Sequence, residues 1–152
     1  MVLRISVAGA LLLLAVAVAW LVERRRRPQA PARDAYPVPR QLDRQDFPRP
    51  DAPWLVALFS SATCASCEVM AAKVAALESP EVASCDIEWS DRRDLHERYA
   101  VPAVPLVVVA DCEGVVRAAF VGAASATDLW AAVAELRRPG STPEPELGRL
   151  DG

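Results

Sequence analysis

Trp54-Leu55-Val56-Ala57-Leu58-Phe59-Ser60-Ser61-Ala62-Thr63-Cys64-Ala65-Ser66-Cys67 is the stretch on which the fold turns. Trp54 to Phe59 is a short apolar run that ends in two serines, the pattern of a buried strand. Residues Ala65 to Leu77 contain no Gly or Pro and carry apolar side chains at 69, 70, 74 and 77, which predicts a helix. Two cysteines therefore sit where a strand passes into a helix. A dithiol/disulfide couple needs this spacing, because two intervening residues let a small ring close. The helix N-terminus also stabilises a thiolate on the outer cysteine, Cys64. A CxxC placed after a strand is a more specific signal than the motif alone.

The periodicities keep alternating beyond this junction. Val82 to Trp89 predicts a strand, and Asp91 to Tyr99 a polar helix with Leu95 and Tyr99 one turn apart. Val104 to Ala110 is a continuous β-branched run, Asp111-Cys112-Glu113-Gly114 a turn, and Val115 to Val121 its hairpin partner. Ser125 caps a last helix that runs through Leu136, with Leu129, Trp130, Val133 and Leu136 on one stripe. This order specifies an α/β chain: a mixed sheet flanked by helices on both faces. Upstream, Gln41 to Phe47 contributes a short strand or turn.

These residues resemble the thioredoxin family, from Trp54 to about Arg138. Trp54 to Phe59 reads like the family's central strand, and Cys64-Ala65-Ser66-Cys67 like its redox pair. Tyr99-Ala100-Val101-Pro102-Ala103-Val104-Pro105 is similar to the segment that carries its cis-proline, and Gly122 to its substrate-loop glycine. The resemblance implies that Cys64 is the attacking nucleophile and Cys67 the buried resolving thiol. It further implies a cis Pro105 packed against the disulfide, and a substrate-facing surface made of Thr63, Ala65, Ser66, Val104, Pro105 and Gly122. A cis X-Pro bond is disfavoured by only about 0.5 to 1 kcal/mol, so packing can hold it, and the Val104 backbone becomes an open edge for a substrate strand. Four positions depart from the family pattern. Thr63 replaces the usual tryptophan, Ala-Ser the usual Gly-Pro, and Leu58 the buried acid that assists the resolving thiol. Glu68, beside Cys67, opposes ionisation of that thiol while favouring the helix dipole.

Composition adds a second theme. The 152 residues are 53% hydrophobic and 24% charged, which excludes wholesale disorder. Residues 1–40 carry seven Arg against Glu23 and Asp34, a net of +5, so residues 41–152 carry −8 of the overall −3. An acidic folded part is a poor partner for nucleic acid. From Ile5 to Val22 run eighteen uncharged residues, rich in Leu, Val and Ala, about 27 Å long as a helix. Trp20 suits the headgroup level, and Arg24 to Arg27 abut the run as a stop-transfer cluster. We read residues 5–22 as an uncleaved transmembrane anchor rather than a signal peptide, with the C-terminal side cytoplasmic by the positive-inside rule. Seven of the thirteen prolines fall between Pro28 and Pro53. That composition gives residues 23–53 the character of an extended Arg/Pro-rich linker. The folded domain spans 38–138, with its core at 54–138, and residues 139–152 read as a disordered tail. Anchor, Arg run and domain together look like a membrane-anchored thioredoxin-like protein of an actinobacterial type.

The expectation for function is a membrane-anchored thiol–disulfide oxidoreductase that reduces protein disulfides and needs no cofactor. Its partners are a protein disulfide or dithiol substrate, a thiol electron donor or acceptor, and the lipid bilayer through residues 5–22. Three alternatives stay open: an extracytoplasmic oxidoreductase that turns over in an oxidising compartment, with the direction of exchange open, a non-catalytic docking module using the Pro105 edge, and a zinc-binding domain. Zinc wants four ligands, and Cys85, His96 and Cys112 are scattered singles without a second CxxC. Haem attachment fails because residue 68 is Glu rather than His. Cys85 reads as a strand thiol, Cys112 as a turn thiol, and His96 as solvated on a polar helix.

Overall fold

The computed structural model describes residues 37–141. Four strands form one sheet: β1 (Trp54–Ser60), β2 (Val82–Glu88), β3 (Leu106–Asp111) and β4 (Val116–Val121), in the order β2-β1-β3-β4. β1 pairs parallel with β2 and antiparallel with β3, and β3 pairs antiparallel with β4. The helices are α1 (Ala65–Ala75), α2 (Arg93–Arg98) and α3 (Ala126–Arg137). The mixed sheet with helices on both faces is the architecture expected from the order of periodicities.

β1 is central because every one of its residues from Leu55 to Phe59 is apolar and can be covered on both faces; all five are 0% exposed. Alternation along the strand divides them. Val56 and Leu58 pack with Met70 and Val74 of α1 and with Leu129, Ala132 and Val133 of α3. Leu55, Ala57 and Phe59 face the opposite layer, built from Leu42, Phe47 and Leu95. Each large side chain withdrawn in this way is worth about 1.5–3 kcal/mol, so the strand beneath the cysteines is held rigidly. Ser125 caps α3 as expected, its Oγ accepting from the Asp128 N–H at 3.0 Å.

Several expectations are corrected. β3 begins at Leu106, not Val104, and α2 covers Arg93–Arg98 rather than 91–99. On α3 Trp130 is 47% exposed and Ala132 takes its place in the buried stripe. Of the proline-rich stretch, Leu42, Phe47 and Ala52 are buried, so residues 41–53 belong to the folded domain expected from residue 38 and not to an extended linker. They include a 3-10 turn, Arg44–Asp46, and a bridge from Gln41 to Val115. His96 is not solvated but 2% exposed. Its Nε2 lies 2.8 Å from the Ile87 carbonyl, and its ring meets the Phe59 and Trp89 rings edge-on with centroids 5.1 Å away in each case. The aromatic neighbours come from β1 and from the residue after β2, which no local pattern around α2 announces. The expected anchor, residues 5–22, and the tail beyond Ser141 lie outside the described residues. Among the described residues no helix is long and apolar enough to cross a membrane.

Candidate functional site

Burial of β1 carries the chain to Ser60, and a short loop, Ser61 to Thr63, turns it into α1. One Glu88 carboxylate oxygen holds that loop, Oε1 accepting from the Ala62 N–H at 2.8 Å, while Oε2 accepts from the Ser90 N–H just after β2 at 2.7 Å. The Ser90 hydroxyl also donates to Glu88, and this bond together with that from Ala62 pushes the Glu88 carboxyl below its ordinary range. Inside the loop the Thr63 and Ser61 hydroxyls meet at 3.1 Å. Cys64 then occupies the N-cap position of α1 without a side-chain capping bond. Its sulfur is thus placed at the positive end of the helix, where a thiolate is favoured.

Cys64 and Cys67 are joined as a disulfide, with Cα atoms 5.4 Å apart. The two sulfurs are not equivalent: Cys64 is half-buried, and Cys67 is 3% exposed. Ser66 Oγ lies 3.5 Å from Cys64 Sγ, and Ala65 is exposed beside it. The register of β1 against β3 pairs Phe59 with Leu106. Pro105 therefore stands at the same end of the sheet as the cysteines. The Val104–Pro105 peptide is cis. Gly122 joins this end through its N–H, which donates to the Pro105 carbonyl at 2.8 Å, and its φ of +85° is a conformation that suits glycine. The structure thus gathers Thr63, Cys64, Ala65, Ser66, Cys67, Val104, Pro105 and Gly122 at one end of the sheet. Leu58 is 0% exposed and packed among apolar side chains, so no acid lies in β1 beneath Cys67.

Solved structures to which this chain is similar include thioredoxins. The germline-specific thioredoxin Deadhead of Drosophila melanogaster superposes with a TM-score of 0.50 at 27% identity, over 57% of this chain and 84% of that one. Fasciola hepatica thioredoxin gives a TM-score of 0.50 at 27% identity, over 57% of this chain and 83% of that one. The fold is thioredoxin-like. No protein-family model and no curated sequence matches the chain.

Within this thioredoxin-like frame, three groups not foreseen from the sequence surround the pair. Ser60, Asp86 and Glu88 line a cleft of about 220 Å³ together with Cys64, Cys67 and Glu68. The signal lay in the alternation of β2, where Asp86 and Glu88 fall on one face. Which way that face points depends on pairing with β1. The remaining cysteines lie elsewhere. Cys112 is exposed in the turn after β3, and Cys85 is half-buried in mid-β2 on the face opposite Asp86. Burial, reinforced by the Asp86 and Glu78 charges, pushes the Cys85 thiol up to about 12. Among the described residues no group of three or more His, Cys, Asp or Glu is placed to hold a metal.

Proposed function

We propose that this chain is a membrane-anchored thiol–disulfide oxidoreductase that reduces protein disulfides. The observation that carries the reading is the asymmetric Cys64–Cys67 disulfide, one sulfur half-exposed at a helix N-terminus and one buried a turn inside. In the reduced protein the Cys64 thiolate attacks a substrate disulfide, giving a mixed disulfide and one released thiol. Cys67 then attacks Cys64, releases the second substrate thiol and restores the disulfide seen here. The Val104 backbone beside cis Pro105 offers an edge on which an extended substrate segment docks. A thiol donor returns the pair to the dithiol. The thioredoxin neighbours, each 27% identical to this chain, support this chemistry.

Residues 5–22 supply the membrane attachment in this proposal, and Arg24 to Arg27 keep the domain on the cytoplasmic side. That side is a reducing compartment, which is why we assign the reductive direction. The deciding experiment is a redox titration of Cys64 and Cys67 in intact cells, combined with protease accessibility of the domain. A pair held largely as dithiol on a protease-protected domain is expected. Unchanged function in Cys64→Ser would instead favour the docking module.

A further inference from the structure

Leu58 leaves the resolving thiol without a proton acceptor in its own strand, yet the neighbouring strand holds one. Parallel register pairs Leu58 with Asp86 and Ser60 with Glu88, so these four residues share the sheet face that α1 covers. Ser60 is 3% exposed, and its Oγ donates to Asp86 Oδ1 at 2.5 Å. Ser60, Asp86 and Cys67 line the same cleft. With its hydrogen committed to Asp86, the Ser60 oxygen serves other groups only as an acceptor. Asp86 itself is exposed to solvent on the edge strand.

We propose that the Ser60–Asp86 pair takes up the Cys67 proton in the resolving step. The inference rests on the thiol-exchange reading. In that step Cys67 gives its proton to the Ser60 oxygen, directly or through a water in the cleft, as Ser60 passes its own proton to Asp86. The Cys67 thiolate attacks Cys64 Sγ; the Cys64–Cys67 bond forms and the bond from Cys64 to the substrate sulfur breaks. The substrate sulfur leaves with the electron pair and is protonated by solvent. Asp86 then releases its proton to water. The other carboxylates of the cleft are differently engaged. Both oxygens of Glu88 hold the Ala62 and Ser90 groups, and Glu68 lies on α1, whereas the Ser60 hydroxyl is bonded to Asp86. Asp86 acts through Ser60 and is therefore a positioning residue for the proton rather than a group that touches the reacting sulfurs.

The test uses the full chain in detergent micelles with Cys85→Ser and Cys112→Ser, so that only the CxxC pair reacts. Rapid mixing of the reduced protein with 5,5′-dithiobis(2-nitrobenzoate) releases one thionitrobenzoate on attack by Cys64 and a second on resolution by Cys67. Asp86→Asn and Ser60→Ala are expected to slow the second release about tenfold or more at pH 6–7. The deficit should close as rising pH ionises Cys67 unaided, and Asp86→Glu should recover most of the rate. A second phase in Asp86→Asn with the parent rate and pH profile overturns the inference. So does a slowing that is equal at all pH values and accompanied by a lower melting temperature, because that marks a structural bond. If the parent protein releases no thionitrobenzoate in two steps, the thiol-exchange reading falls and this inference with it.

Discussion

Cys64 and Cys67 are chemically identical residues that position alone makes different. Cys64 is half-buried at the N-cap of α1 and Cys67 is 3% exposed. Cys67→Ser is therefore expected to accumulate a mixed disulfide with a partner through Cys64, whereas Cys64→Ser should accumulate none. Non-reducing electrophoresis of the two variants checks this, and equal trapping by both would make the pair symmetric. A second residue-scale prediction concerns alkaline pH. Burial pushes the Cys85 thiol from its ordinary 9.0 to about 12. Burial, together with the hydrogen bond to Asp46, pushes the Tyr99 hydroxyl from 10.0 to about 12. Both groups hold their proton more tightly when folded, so their contribution to stability is complete below about pH 9 and is lost as the pH rises toward 12. Chemical denaturation at pH 8, 10 and 11.5 should show the fall, and Cys85→Ala with Tyr99→Phe should flatten it. At pH 8 the exposed Cys112 should alkylate well before Cys85, as a timed mass-spectrometric labelling series would show.

The elements around the site depend on the packed segment that precedes β1. Gly114 closes the turn between β3 and β4 with φ +80°, and a Cβ there would stand 2.0 Å from the Leu42 carbonyl oxygen. The same turn accepts the Leu42 N–H at the Gly114 carbonyl, 2.8 Å away. Gly114→Ala is therefore expected to cost about 2–3 kcal/mol, from strain at positive φ and from displacing Leu42, read as a lower melting temperature. Arg44 ties the same segment down from beneath. It is 6% exposed, donating to the Ala52 carbonyl at 3.1 Å, the Asp111 carbonyl at 2.8 Å and the Arg49 carbonyl at 3.2 Å. Burial lowers its pKa, with Cys112 and Asp111 opposing that shift. Arg44→Ala leaves those carbonyls short of a charged donor and should cost about 2–3 kcal/mol. Thermal melts of the two variants measure both losses, and little change in either would remove the segment from the folded unit.

For the whole molecule the expected outcome is a protein that stays in the membrane fraction through a carbonate wash and retains residues 5–22 at its N-terminus. A reporter fused after Gly152 should be active only in the cytoplasm; activity that depends on export would reverse the orientation. The composition of residues 1–27 determines this expectation, because a long uncharged run followed by four Arg is a local property of the chain. The apolar run of β1, the CxxC at its end and the Val-Pro step before β3 were legible in the sequence, since each is written in consecutive residues. His96 was misread because its burial depends on Phe59 and Trp89, residues far from it along the chain. The same is true of Leu42, Phe47 and Ala52, whose proline-rich surroundings suggest a tether until the sheet supplies the surface that buries them. Sequence periodicity could place Asp86 and Glu88 on one face of β2, but not say what that face meets. Only the parallel register of β2 on β1 brings Asp86 to Ser60 and both into the cleft with Cys67. Local structure follows from consecutive residues, whereas proximity between strands follows from the pairing that buries the most apolar surface, and that pairing exists only in the folded chain.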